Sequence, residues 1–154
     1  MAAAYLAGNI DSRAAIGPTL MLTGIARSTG TTVPGDLLDR YAQAAATNAN
    51  IRHALADLRS ALSLSDDTAF YCYRALESLR QEFIDDSDPR PAREKRSWER
   101  LRAALGVDEE RARELAALAT PRRHGANPHL PYDVRRMWLE WTRELVAIYI
   151  EADR

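Results

Sequence analysis

A chain of 154 residues, 46% hydrophobic and 28% charged, fits one globular domain with at most an ordered arm, and is long enough to bury a real core. Its formal net charge of −1 excludes a global pull on polyanions, so any nucleic-acid site must be a local cluster. The single cysteine, Cys72, excludes an internal disulfide and fits a reducing compartment.

The basic residues are almost all arginine, Lys95 being the only lysine, which reads as coding bias more than as mechanism. The start, Met1 to Gly8, is apolar without a basic n-region and is a poor signal peptide. The next apolar stretch, Ala14 to Ala26, is broken by Gly17 and Pro18 and is too short for a bilayer. A cytoplasmic protein without a membrane span is therefore expected.

Residues 1–35 form an arm or extension whose structure stays open. Pro18 after Gly17 can open a short helix ending near Gly30, while Thr19 to Thr23 also suit a short strand. Thr31-Thr32-Val33-Pro34-Gly35 is a turn or linker by residue type.

From Asp36 the pattern is regular. Leu37, Tyr41, Ala44, Asn48, Ile51, Leu55, Leu58 and Leu62 recur at steps of four and three, which predicts one long amphipathic helix with Asp36 as N-cap or first-turn acid. Asn48 is the polar member of that stripe. It lies at the stripe's margin, caps a local kink, or faces a polar site. Ser63 to Asp67 then stop the helix and cap a second one, which carries Ala69, Cys72, Leu76, Leu79 and Phe83 on one face. Cys72 is expected in the core, since nothing near it in sequence would lower its pKa. Phe70, Tyr73, Glu77 and Arg80 line a neighbouring face, where Glu77 and Arg80 can form a surface pair.

Asp85 to Pro91 reads as an acidic, solvated loop between helices. It lacks the Gly and the later Glu of an EF-hand, so calcium is not supported. A third helix over 92–105 turns Trp98, Leu101 and Leu105 inward and ends at Gly106. Asp108 caps a fourth, with Leu115 and Leu118 as apolar contacts, and Pro121 is expected to end it. The last helix starts at Asp133 and carries Val134, Trp138, Trp141, Leu145, Ile148 and Ala152 on one stripe. Five helical patterns without paired strands predict an all-α antiparallel bundle over residues 36–154.

The sequence contains no Gly-rich phosphate loop, Cys-x-x-Cys pair or His-Glu-x-x-His zinc motif. What remains is the Pro-bounded segment Thr120 to His129, with Arg122, Arg123, His124, Asn127 and His129. Arg123 and His129 are separated by five residues, so a fixed cation and a proton carrier could converge on one phosphate. The same residues also suit a helix C-terminus, where cations offset the dipole and Gly125 takes the left-handed cap.

The run Ala69 to Glu77, then Ser97-Trp98-Glu99-Arg100-Leu101-Arg102 followed by Leu105-Gly106, then Arg123-His124-Gly125 and a final helix, resembles bacterial members of the HEPN superfamily over about residues 36–152. Arg123 with His129 matches the Arg, four to six residues, His spacing of its RNA-cleaving members, and Arg122 matches with six. The resemblance implies a metal-independent endoribonuclease without a cofactor. It would act as a homodimer whose loops share a cleft and leave 2′,3′-cyclic phosphate ends on RNA, as a toxin or defence component controlled by an antitoxin or regulatory protein. It makes Arg123 and His129 catalytic, with Arg122, His124, Asn127 and Glu77 in support. The alternative is a non-catalytic helical module that dimerises or binds nucleotides, RNA or another protein.

Overall fold

The computed structural model describes residues 35–126 and 129–152. The expected arm, apart from Gly35, and the candidate Asn127 lie outside them. Among the described residues there are six α-helices and no strand: α1 (Gly35–Thr47), α2 (Ala49–Ser63), α3 (Thr68–Arg80), α4 (Arg90–Leu105), α5 (Glu109–Arg123) and α6 (Tyr132–Ala152). Short 3₁₀ turns, Ser65–Asp67 and Gln81–Phe83, flank α3.

The predicted long first helix is two helices. Asn48 leaves the helical region at φ −122° and ψ 117°, and its side-chain oxygen accepts the backbone N–H groups of Asn50 (2.8 Å) and Ile51 (3.1 Å), capping α2. The end of α1 is satisfied from the same place, since the Arg52 guanidinium donates to the Ala45 carbonyl at 3.0 Å. Apolar spacing alone could not detect this break, because the buried stripe continues across it through Tyr41, Ala45, Ile51, Leu55 and Leu58.

The α3 helix sits at the centre and packs on α2, α5 and α6, with a lighter contact to α4. Its buried face, Ala69, Cys72, Leu76 and Leu79, joins Ile51 and Leu58 of α2, Leu101 of α4, Leu115 of α5 and Trp138 and Val146 of α6 in one cluster. Each fully buried leucine there contributes roughly 1.5–3 kcal/mol. Burial pushes the Cys72 thiol up to about 12, so this residue packs and does not react. Leu62 and Ile148, both on predicted stripes, are exposed.

Two further expectations change. Pro121 lies inside α5 and does not end it. Proline removes one N–H but leaves the next residues free to stay helical, and the chain turns only at Gly125, whose φ is 81°. There the Gly125 N–H donates to the Arg122 carbonyl and the Ala126 N–H to the Pro121 carbonyl, closing a Schellman cap. The acidic loop is not simply solvated either. Asp88 is buried, and its carboxylate accepts Arg96 Nη1 at 2.8 Å and pairs with Arg100 Nη1 at 2.7 Å, so these arginines of α4 hold the loop down. Asp108 caps α5 by accepting the Arg111 N–H at 2.9 Å, and Gly106 ends α4 at φ 64°, both as expected.

Candidate functional site

One flank of α2 and one of α3 carry polar side chains at helical spacing. Asn50 and His53 on α2 meet Phe70, Arg74 and Glu77 on α3 and Gln81 in the 3₁₀ turn after it, and the C-terminal turn of α5 brings Arg122 and Arg123 to the same place. These residues line an open cleft of about 630 Å³. Leu76 and Leu79 on the opposite side of α3 are in the core, which fixes the direction of the polar flank.

Arg123 is anchored in the cleft by a carboxylate and an aromatic ring. Its Nη2 lies 2.5 Å from Glu77 Oε2, and its guanidinium lies 5.0 Å from the centre of the Tyr73 ring. Glu77 raises the Arg123 pKa, so the group stays a fixed cation. Arg122 reaches the other way, gripping Asp67 with Nε at 2.5 Å and Nη2 at 3.1 Å. That bidentate pair ties the end of α5 to the start of α3.

Glu77 and Arg80 do not form the expected surface pair. Arg80 donates to the buried Ser97 hydroxyl at 2.9 Å and lies 5.4 Å over the Trp98 ring, which itself stacks on Tyr73. It has no carboxylate partner among the described residues. Arg74 pairs with Asp57 at 3.5 Å. Burial raises the Asp57 pKa, while Arg74 and His53 pull it back down.

Of the residues singled out from sequence, Arg122, Arg123 and Glu77 therefore come together on the cleft. His124 is an exposed residue at the end of α5 and does not line it. His129 is also outside the lining. Its side chain is 82% exposed and its Nδ1 lies 3.5 Å from Asp66 Oδ1. Asn50, His53 and Arg74 were missed. Their signal was a polar stripe at three-four spacing, Asn50, His53 and Asp57, opposite Phe70, Arg74, Glu77 and Gln81. Among the described residues no three His, Cys, Asp or Glu side chains gather as a metal site, and no helix is long and apolar enough to cross a membrane.

Residues 36–154 match a family model described as the C-terminal domain of a domain of unknown function, DUF8168. The chain belongs to the DUF8168 C-terminal domain family. The match to DUF8168 begins in the first turn of α1 and takes in the rest of all six helices. No curated protein and no solved structure matches the chain.

Proposed function

We propose that this chain is a HEPN-type, metal-independent endoribonuclease: an antiparallel helical bundle that pairs with a second copy in the cytoplasm and cuts single-stranded RNA. The observation that carries the proposal is Arg123, held by Glu77 and backed by Tyr73 on the wall of an open cleft. A guanidinium fixed in this way can offer its remaining N–H groups to a phosphodiester and offset the charge that builds in the transition state. Arg74, Arg80 and Arg122 add positive charge around it. Of these, Arg80 has no carboxylate partner among the described residues, while Arg74 and Arg122 are paired with Asp57 and Asp67.

In the reaction the RNA 2′-oxygen attacks the adjacent phosphorus as its proton passes to an imidazole. The bond from phosphorus to the 5′-oxygen breaks, and that oxygen leaves with the electron pair and takes a proton from solvent water. The products are a 2′,3′-cyclic phosphate and a 5′-hydroxyl. Arg123 has the electrostatic role. His129 is the imidazole of the sequence motif, and in the dimer it could be supplied across the two-fold axis. Such an enzyme would serve as a toxin or defence component under the control of a partner protein.

The test is cleavage of end-labelled single-stranded RNA with EDTA present, comparing wild type with Arg123→Ala. Cyclic phosphate ends made by the wild type and lost in the variant support the proposal, whereas intact RNA, or equal cutting by both proteins, removes it.

A second reading is favoured by apolar side chains exposed outside the cleft. Leu62, Leu64, Tyr132 and Met137 are exposed, Tyr132 at 68%. A non-catalytic module docking a protein through such side chains would bind its partner with the cleft arginines replaced.

A further inference from the structure

The cleft contains an imidazole other than that of the motif. His53 lines it together with Arg122 and Arg123, whereas neither His124 nor His129 does. We propose that His53 is the proton carrier of the cleft, taking the proton of the RNA 2′-hydroxyl while Arg123 holds the phosphate. This inference rests on the endoribonuclease reading and names the acid–base residue of the same site.

Three features support it. The first is placement: His53 stands on a regular helix whose buried residues Ile51, Ala54, Leu55 and Leu58 are locked in the core. A catalytic imidazole on such a support needs no loop ordering to be in position. His129, by contrast, projects from an irregular segment and already faces Asp66.

The second is charge. Asp57 follows His53 by one turn of α2, is 7% exposed, and interacts electrostatically with it. Arg74 pairs with that carboxylate without enclosing His53, which remains exposed. The other charged groups on the cleft wall are Glu77 and Arg80 of α3 and Arg122 and Arg123 of α5.

The third is room. A cleft of about 630 Å³ falls within the roughly 300–1,000 Å³ usual for small-molecule sites, enough for the nucleotide around one scissile phosphate. Its lining also offers an aromatic ring, Phe70, and an amide, Asn50.

The step balances. Neutral His53 accepts the 2′-hydroxyl proton as the oxygen–phosphorus bond forms and the phosphorus–5′-oxygen bond breaks. Water protonates the departing 5′-oxygen, and the imidazolium returns its proton to the solvent, restoring His53 for the next turnover.

The experiment measures kcat and KM of full-length wild type, His53→Ala and His129→Ala on a labelled single-stranded RNA, with and without added free imidazole. We expect His53→Ala to lower kcat by at least about a hundredfold with little change in KM, and free imidazole to restore much of the loss. Restoration by imidazole also shows that the variant is folded, since a collapsed cleft could not use the added base. If His53→Ala cuts normally while His129→Ala is inactive, the assignment to His53 is overturned and the endoribonuclease reading survives. A loss in His53→Ala that imidazole does not repair also overturns the proton-carrier role. If the wild type does not cut RNA at all, both inferences fall together.

Discussion

Asp88 and Glu77 each hold arginine, but in different surroundings. The Asp88 side chain is 3% exposed and gripped by Arg96 at 2.8 Å and Arg100 at 2.7 Å, whereas Glu77 is 28% exposed and holds Arg123 alone. In the first constellation two arginines, their side chains 50% and 38% exposed, converge on one buried acid and hold a loop. In the second, a single arginine, its side chain 41% exposed, lines an open cleft. The same chemistry closes a loop in one place and presents a cation at a cleft in the other, and the two differ in the burial of the acid and in the number of arginines it holds.

The largest expected effect is on the open constellation. Arg123→Ala should lower RNA cleavage by at least about a hundredfold, while the melting temperature moves little, because a half-exposed ion pair contributes at most about 1 kcal/mol. Initial rates and thermal melts on one preparation check this. A variant that melts early and keeps its activity per folded molecule would reverse the assignment of the two constellations.

Removing the closed constellation should do the opposite. Asp88→Ala frees Arg96 and Arg100, releases the loop before α4, and lowers the melting temperature more than Glu77→Ala does, with cleavage per folded molecule unchanged. If Glu77→Ala melts earlier than Asp88→Ala, the contrast fails.

The same acid gives a pH signature. Hydrogen bonds from Arg100 and then Arg96 hold the Asp88 carboxyl below its ordinary range, so its contribution to stability is present above about pH 4 and lost as pH falls through the folded value. Urea midpoints measured between about pH 2 and pH 6 should therefore fall at the acid end in wild type and fall less in Asp88→Asn. Parallel curves for the two proteins would mean that this carboxylate is not the acid-sensitive group.

The smallest effect lies away from both constellations. Asn48→Ala removes the cap that divides α1 from α2 and should cost about 1 kcal/mol, read as a lower urea midpoint at unchanged slope. No change would mean that the backbone break is set by packing and not by the side-chain cap.

These contrasts also explain what was legible in the sequence. Apolar stripes located the helices, because Ile51, Leu58, Leu76, Leu79 and Leu145 are buried in the way that three-four spacing requires. Caps that use one residue and its near neighbours were equally readable, as at Asp108, Gly106 and Gly125. Asn48 was noticed on its stripe, but choosing the cap over the alternatives needed its backbone angles. Asp88 was hidden among similar acids, and only the fold shows which of Asp85, Asp86 and Asp88 goes inside.

The cleft was legible by halves. Arg122, Arg123 and Glu77 stood out from local motifs and helical spacing, while His53 did not, since its meaning depends on α2 lying against the polar flank of α3. Two facing helices build the site, and a reading that follows one segment at a time sees each flank as an ordinary solvated face.

The most direct test of the central claim, that RNA binds in the cleft beside the Arg123–Glu77 pair, uses an oligoribonucleotide with 2′-O-methyl groups, which lacks the attacking hydroxyl and cannot be cut. Backbone amide spectra recorded as it is added should change around Asn50 and His53, from Arg74 to Gln81, and at Arg122 to Gly125, with binding weakened in Arg123→Ala. Changes confined to Leu62, Leu64, Tyr132 and Met137, or no change at all, would contradict the account.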